Sequence, residues 1–287
     1  MSHHKSPITD QPASSHLTAG SVQALLSTRT FGRTLHLLDE TTSTNVAALA
    51  LAHDGAAHGT VVAAETQTAG RGRLGRQWHS PAGENLYCSV ILRRLPTDER
   101  SHGLCWIPLV SAVAAARAIE VVSGLTPALK WPNDLLLSER KVGGILCESG
   151  GLGPNGSANQ HGIVIVGIGL NVNTSRGGFP EHLREIATSL AIEAGRQFDR
   201  AALLASLLNA LEDRYELLLT DRATDAENEY RRLCATLGRR VRVELAGGER
   251  VEGRADALLE DGSLRVIRDD PRNAVAEVRA ADVVHLR

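Results

Sequence analysis

The chain has 287 residues, of which 43% are hydrophobic and 22% are charged, a composition typical of a globular protein with one large domain and one small one. Its formal net charge of −2 provides no overall basic field, which argues against binding DNA or an anionic membrane through bulk charge. No apolar run reaches the roughly 18 residues of a membrane span, and the polar N-terminus lacks the apolar stretch of a signal peptide, so we expect a cytoplasmic protein.

The chain up to residue 173 is predicted to be a leader followed by alternating helices and strands. Residues 1–34 begin with the polar run MSHHKSPITDQPASSHLTAGS and are expected to form a disordered leader. Helices are predicted after Ser43 or Thr44, either of which can cap, and over 107–122. Strands are predicted over 60–65, 86–93, 128–131 (a strand end), 135–138, 141–149 and 161–173, with a loop over 150–160.

The pattern changes twice towards the C-terminus. Leucines recur at helical spacing behind a cap at Asp199, and residues 225–236 continue helically. Beyond Gly238, short alternating segments are separated by turns such as AGGE and EDGS, which is typical of a small β-barrel or sandwich. We therefore predict a mixed α/β domain over 35–237 and a small all-β domain over 238–287.

The cysteines and histidines give no sign of a metal centre. Cys88, Cys105, Cys147 and Cys234 show no metal-ligand spacing, and we expect reduced, buried thiols. No pair of histidines has ligand spacing with an acidic partner, so no structural zinc is expected.

The stretch AGRGRLGRQWHSP, from Ala69 to Pro81, is rich in glycine and arginine. Its glycines match the G-x-G-x-x-G dinucleotide fingerprint, but the residues that follow have no helical period and include a proline, which argues against a Rossmann turn. Two interpretations remain. One is a solvated flexible loop; the other is a mobile loop whose backbone N–H and guanidinium groups close on a phosphate or carboxylate.

Four segments carry polar residues that neither a core nor a surface requires: Ser43-Thr44-Asn45, Gln67 with the loop, Lys130-Trp131-Pro132-Asn133-Asp134 with Lys141, and Gly167-Ile168-Gly169-Leu170-Asn171. In this order they resemble the biotin–protein ligases, and the likeness extends from about Leu35 to near the end of the chain. The combination of GRGRxGRxW with KWPND and a lysine shortly after it is specific to that family.

The resemblance implies an α/β (α+β) fold. It implies a mixed sheet flanked by helices, a catalytic domain like that of the class II aminoacyl-tRNA synthetases, followed by a small SH3-like β-barrel. It also implies that biotin and MgATP react to biotinyl-5′-AMP, and that a lysine of a biotin carboxyl carrier domain then accepts the biotin. Biotin is thus a substrate, and Mg²⁺ accompanies ATP without a permanent metal site.

The resemblance assigns roles to individual residues. Those expected to bind biotin are Ser43, Thr44, Asn45, Gln67, Arg71, Gly72, Arg73 and Lys141. Those expected near the nucleotide are Arg73, Arg76, Trp78, Lys130, Asn133 and Asn171. Those expected to take part in catalysis are Arg71, Lys141, Lys130 and Asp134, with Asp134 near either Mg²⁺ or the incoming lysine.

The sequence departs from many family members, because only about 35 residues precede the catalytic domain where those members carry a helix-turn-helix domain. We therefore expect a ligase without DNA binding or repressor function, while a homodimer through the sheet edge stays open. The nearest alternative is a lipoate–protein ligase with the same adenylate chemistry. A nucleic-acid-binding module is less favoured, since the arginines of 239–250 alternate with glutamates and only 3% of residues are aromatic.

Overall fold

The computed structural model describes residues 16–93, 95, 103–150, 162–245, 249–269, 274–279 and 281–286, which form helices and two β-sheets. The helices are α1 (Ala19–Gln23), α2 (Thr44–His53), α3 (Gly103–Ser123), α4 (Leu190–Ala194), α5 (Arg200–Leu218) and α6 (Ala223–Leu233). The first sheet contains β1 (Leu35–Thr41), β2 (Val61–Gln67), β3 (Leu86–Leu92), β4 (Ala128–Lys130), β5 (Asp134–Leu137), β6 (Arg140–Ser149) and β7 (Val164–Leu170). The second contains β8 (Arg240–Glu244), β9 (Arg250–Leu258), β10 (Leu264–Arg268), β11 (Val275–Val278) and β12 (Asp282–His285). The predicted loop over 150–160 lies outside the described residues except for Gly150.

The first sheet is mixed and lies between helices. Its strand order is β1-β2-β3-β7-β6-β5-β4, and every neighbouring pair is antiparallel except β1 with β2. Successive residues of a strand face opposite sides, so Val61 and Ala63 join the core with α3 and α5, whereas Val62 packs with α2. This arrangement confirms the predicted mixed sheet flanked by helices.

Helix α3 is the long core helix under this sheet. By length and composition its segment Leu104–Ser123 could cross a membrane, so the expectation that no such stretch exists was too strict. In the fold 67% of that stretch is buried, against the sheet, α5 and α6. A core helix passes the same test of apolarity as a membrane span.

The second sheet has the order β11-β10-β9-β8-β12 and is antiparallel throughout. Two tryptophans of the larger part bind its turn before β10: Trp106 Nε1 donates to Glu260 O at 2.7 Å, and Trp131 Nε1 donates to Gly262 O at 3.0 Å. This antiparallel sheet fits the small β domain predicted for the C-terminal part.

Residues 16–34 differ from the predicted disordered leader, of which residues 1–15 lie outside the described part. They include α1, and Val22 and Phe31 are fully buried. The carboxylate of Glu212 accepts hydrogen bonds from the backbone N–H groups of residues 29, 30 and 31 at 2.6–2.9 Å. A few apolar residues separated by polar ones anchor this segment, and such sparse spacing gives no periodic signal in the sequence.

The four cysteines are free, but they are not all buried as expected. Cys88 and Cys234 are buried, Cys147 is half-buried and Cys105 is exposed. Cys105 lies in the first turn of α3, next to a large cavity.

Candidate active site

The arginine loop, residues 69–78, folds back on itself as a narrow hairpin. Arg71 pairs with Gln77 across it, and its tip turns through left-handed backbone at Leu74 (φ 56°) and Gly75 (φ 73°). No helix follows, which confirms that this is not a Rossmann turn. The loop lines two cavities, an inner one with Arg71 and Arg73 and an outer one with Arg73 and Arg76.

The inner cavity lies between the loop and strands β6 and β7, and its volume is about 50 Å³. It is lined by all the residues predicted to bind biotin: Ser43, Thr44, Asn45, Gln67, Arg71, Gly72, Arg73 and Lys141. Pockets for small organic ligands commonly measure ~300–1,000 Å³, so this cavity alone is smaller than the usual ligand pocket.

A chain of hydrogen bonds fixes the polar groups at the closed end of this cavity. Ser89 Oγ lies 2.8 Å from Thr44 Oγ1 and donates to Asn45 Oδ1 at 2.6 Å. The Thr44 N–H donates to Gln67 Oε1 at 2.9 Å, which directs the Gln67 amide nitrogen towards Ser80 and the loop. Ser43 is the N-cap of α2, but its side chain makes no capping hydrogen bond. Its hydroxyl lines the cavity instead.

Arg71 and Asn45 meet on one carboxylate. Glu148 Oε2 accepts from Asn45 Nδ2 at 2.7 Å and from Arg71 Nη2 at 3.0 Å. The Arg71 side chain is 46% exposed, so this ion pair contributes little to stability and can open at small cost. The guanidinium is therefore available to a stronger anionic partner.

Two glycines of β7 make room for the site. A Cβ on Gly167 would lie 2.2 Å from Asn45 Oδ1, and one on Gly169 would lie 2.7 Å from the indole of Trp78. The Trp78 indole N–H is buried and has no hydrogen-bond partner among the described residues. The GIGLN motif thus allows a polar amide and an aromatic ring to approach the strand closely.

The outer cavity, of about 640 Å³, lies between the first sheet, the arginine loop and the second sheet. It is lined by all the residues predicted near the nucleotide or in catalysis except Arg71: Arg73, Arg76, Trp78, Lys130, Asn133, Asp134, Lys141 and Asn171. Lys141 Nζ pairs with Asp134 Oδ1 at 2.5 Å and lies 5.3 Å from the centre of the Trp78 ring. Lys141, Trp78, Arg73 and Asn133 line both cavities and so join them into one site.

Burial changes the acidity of the cations in the outer cavity. Desolvation lowers the pKa of Lys130 and of Arg73, although Asp134 and Asp282 act in the opposite direction. Partly desolvated cations interact more strongly with an anionic ligand than solvated ones do, because the local dielectric is lower. This wall is suited to a polyanion such as a nucleotide phosphate.

The arginine loop also contacts the second sheet. Arg73 Nη1 donates to Asn133 Oδ1 at 3.1 Å and to the carbonyl of Ala281 at 3.3 Å. Arg76 forms a two-pronged ion pair with Asp282. Burial would raise the pKa of Asp282, but the pair with Arg76 holds it below its ordinary value.

Asn171 supports the site from behind. Its Nδ2 donates to the carbonyls of Thr188 at 3.0 Å and Lys141 at 3.4 Å, and its side chain is almost fully buried. These bonds hold the first residues of β6 in place, so Asn171 affects Lys141 through the backbone while its direct role at the nucleotide stays a prediction.

Three further residues belong to the site, and sequence reasoning missed them. Ser89 lies in an apolar run that indicates only a buried strand, Glu148 ends a strand, and Asp282 lies beyond the predicted domain boundary. Each contacts a site residue at least 44 positions away in the chain. An isolated polar residue inside an apolar strand, as at Ser89, is the only signal of the three that the sequence offers.

Another cavity, of about 670 Å³, is lined by the arginine loop with Arg71, Arg73 and Arg76, by the first turns of α3, and by the turn at Asp261 and Gly262. It contains none of the Ser43-Thr44-Asn45 triplet and neither Lys130 nor Lys141. Its size does not outweigh the absence of these groups, so the joined inner and outer cavities are the candidate active site.

Comparison with known proteins finds relatives over most of the chain. The model of the biotin/lipoate A/B protein ligase family matches residues 37–169. The chain is 32% identical to the bifunctional ligase/repressor BirA of Bacillus subtilis over 268 residues, covering 93% of this chain and 78% of the relative. It is 36% identical to the biotin–[acetyl-CoA-carboxylase] ligase of Mycobacterium tuberculosis over 259 residues, covering 89% of this chain and 90% of the relative.

The fold is also similar to that of a solved structure. The biotin protein ligase of Aquifex aeolicus, in complex with biotin and ATP, superposes with a TM-score of 0.74 at 27% identity, covering 88% of this chain and 100% of that one. From these matches and the agreement of its motifs, the chain belongs to the biotin–protein ligases of the biotin/lipoate A/B protein ligase family.

Proposed function

We propose that the chain is an ATP-dependent ligase that activates biotin as biotinyl-5′-AMP and transfers biotin to a lysine of a biotin carboxyl carrier protein. The observation that carries this proposal is the junction of the two cavities at Arg73, Trp78, Asn133 and Lys141. One cavity ends in neutral hydrogen-bonding groups, the other is lined by cations, and the shared residues lie where a carboxylate and an α-phosphate would meet.

The closed end of the inner cavity suits the neutral ureido ring of biotin. Ser43, Thr44 and Gln67 offer hydroxyl and amide groups, and the Thr44 N–H holds the Gln67 amide in one orientation. A neutral ring that both donates and accepts hydrogen bonds requires such fixed partners, because a buried polar group left unpaired costs about 1–3 kcal/mol.

The first step joins two anions. A carboxylate oxygen of biotin attacks the α-phosphorus of ATP, the bond from that phosphorus to the bridging oxygen breaks, and pyrophosphate leaves with the bonding electrons. Arg71 and Lys141 offset the charge of the carboxylate, and Arg73, Arg76 and Lys130 offset that of the phosphates. Closure of the arginine loop shields the mixed anhydride from water.

Magnesium fits this site as a companion of ATP. Among the described residues there is no cluster of three or more His, Cys, Asp or Glu side chains that could hold a metal alone. Mg²⁺ usually takes one or two carboxylates together with phosphates and water, and Asp134, which lines the outer cavity, is a carboxylate that would hold either this ion or the incoming lysine. When bound, the ion would neutralise phosphate charge.

The second step transfers biotin to the carrier. The neutral ε-amine of a carrier lysine attacks the carbonyl carbon of the anhydride, the bond from that carbon to the phosphate oxygen breaks, and AMP leaves. The incoming ammonium group must first lose a proton, and Asp134 is suited to orient it. Lys141 can stabilise the leaving phosphate, since its ammonium already lies between Asp134 and Trp78.

The names of the relatives favour biotin over lipoate as the substrate. For the whole protein we propose a cytoplasmic enzyme with the carrier domain as its macromolecular partner and no role in DNA binding. The net charge of −2 supports this, as do the arginines of the second sheet, which are paired with acidic residues such as Glu252 and Asp269. A homodimer through the sheet edge remains compatible with these observations.

The test is biotin-dependent exchange of labelled pyrophosphate into ATP, measured with biotin, with lipoate and without either acid. With Mg²⁺ present, the proposal predicts exchange with biotin, and no exchange with lipoate or without either acid. Exchange with lipoate instead would keep the adenylate chemistry and change the substrate, and exchange with neither would contradict the proposed function.

A further inference from the structure

The second sheet contacts the arginine loop through Asp282, the first residue of β12, and Ala281 just before it. The carbonyl of Ala281 accepts from Arg73, and the carboxylate of Asp282 binds Arg76 through both of its oxygens. Val283, next along β12, is 1% exposed and packs into the core, so the strand that carries Asp282 is held in place.

The arginine loop has few other fixed contacts at this end. Its tip at Leu74 is 70% exposed, and the Arg76 side chain is 63% exposed. A loop with little buried surface keeps one position only if specific polar contacts hold it there. The two-pronged geometry adds direction to the Arg76 contact, because it fixes the plane of the guanidinium as well as its distance.

We propose that Asp282 is a positioning residue for adenylation, which holds Arg76 and with it the arginine loop against the outer cavity. This inference rests on the proposed function and goes beyond it, because it names the residue pair, Asp282 and Arg76, through which the second sheet holds the arginine loop. Asp282 acts through Arg76, the cation that it holds at the outer cavity.

The direction in which ATP binding changes distinguishes this positioning role from a simple effect of the Asp282 charge. ATP is a polyanion, so replacing the carboxylate of Asp282 by a neutral amide should strengthen ATP binding if only the local field mattered. If Asp282 positions Arg76, the same change should weaken ATP use, by about three- to tenfold, since charge-assisted contacts are the stronger hydrogen bonds but this one is partly exposed.

The experiment measures KM for ATP and kcat in biotin-dependent pyrophosphate exchange for the full chain and its variants. Asp282→Asn should raise KM for ATP with a smaller effect on kcat, and Asp282→Glu should recover part of the loss. In an Arg76→Ala background, Asp282→Asn should have little further effect, because the partner is already gone. The control is Glu249→Gln, which removes another exposed arginine partner on the second sheet, that of Arg268 at 3.3 Å.

The outcomes separate this inference from the proposed function. If the unaltered chain shows no biotin-dependent exchange, the proposed function fails and this inference with it. If the unaltered chain is active and Asp282→Asn leaves KM for ATP unchanged or lowers it, the positioning role is overturned while the function stands. An equal loss in the Arg76→Ala background would also overturn it, because the effect would then not pass through Arg76.

Discussion

At the scale of single residues, the inner cavity depends on Gly167 and Gly169, because neither has a side chain that would displace Asn45 or Trp78. Gly167→Ala would place a methyl group 2.2 Å from Asn45 Oδ1 and so displace the amide that Ser89 and Glu148 hold. Overpacking of this kind costs ~1–3 kcal/mol, so we expect biotin to bind about ten times more weakly or worse.

Titration calorimetry with biotin checks this expectation. The matched control is Gly20→Ala, whose new methyl group would meet no atom within 4 Å. Equal affinity for biotin in the Gly167 and Gly20 variants would mean that the triplet does not form the ligand's site.

Besides its proposed role at the biotin carboxylate, Arg71 is expected to hold the adenylate once it has formed. Its present ion pair with Glu148 is partly exposed and therefore weak, so Arg71 can exchange it for the phosphate of the adenylate at small cost. Arg71→Ala should release biotinyl-5′-AMP about ten- to a hundredfold faster, since hydrogen bonds to charged groups are worth ~1.5–3 kcal/mol.

A chase of labelled adenylate measures that rate directly. Arg222→Ala, which removes an exposed surface ion pair on α6, is the control and should leave the rate unchanged. Retention of the adenylate by the Arg71 variant for as long as by the unaltered chain would argue against a clamp at this position.

At the scale of elements, α5 holds the segment before β1 with the side-chain amide of Asn209 and the carboxylate of Glu212. Burial would raise the pKa of Glu212, but three backbone N–H groups stabilise its charged form and keep the pKa below its ordinary value. Glu212→Gln should lower the free energy of unfolding at neutral pH by about 1–3 kcal/mol, because two or more donors lose a charged acceptor.

Denaturant unfolding measures this change, with Glu227→Gln on α6 as the control for an i,i+4 surface pair. The contribution of Glu212 is complete above its ordinary pKa and is lost as the pH falls through the lower folded value. The Glu212 variant should therefore be less stable than the unaltered chain at neutral pH and match it in strong acid. Equal stability of this variant and the unaltered chain at neutral pH would contradict the anchoring role.

The second sheet contains a histidine that is held neutral. Burial, followed by the nearby charge of Lys130, lowers the pKa of His285 to about 4, and its Nε2 lies 3.0 Å from Thr236 Oγ1. Because the unfolded chain binds this proton at a higher pH, stability from this group is present above about pH 6.5 and is lost as the pH falls towards 4.

Thermal unfolding between pH 7 and pH 4 tests the assignment. His285→Gln should flatten the decline in Tm over this range, whereas His53→Gln at the exposed end of α2 should not. A decline of the same slope in the His285 variant would place the acid sensitivity elsewhere.

At the scale of the whole molecule, the sequence predicted features that depend on interactions between near neighbours in the chain. It missed features that depend on contacts between distant segments. The strands over 86–93 and 141–149 and the helix after Asp199 were predictable because hydrophobic period and capping are local. The triplet, the arginine loop and Lys141 could be singled out as candidates because short motifs, or a short distance from one, mark them in the sequence.

The remainder depends on contacts between distant segments. Asp282 meets Arg76 across 206 positions, and Glu212 meets Arg29 across 183, so neither partnership leaves a local pattern. Strand β1 escaped prediction because its residues are only partly buried, as suits the edge of the sheet, and so lack the alternation of a half-buried strand.

The central claim is that this site makes an adenylate from biotin and passes biotin to a carrier lysine. The most direct measurement is the intact mass of a biotin carboxyl carrier domain after incubation with the chain, MgATP and either biotin or lipoate. The account predicts one biotinyl group on one lysine, and none when biotin or ATP is omitted. A lipoyl group instead of biotin, or an unchanged carrier in a reaction that consumes no ATP, would contradict it.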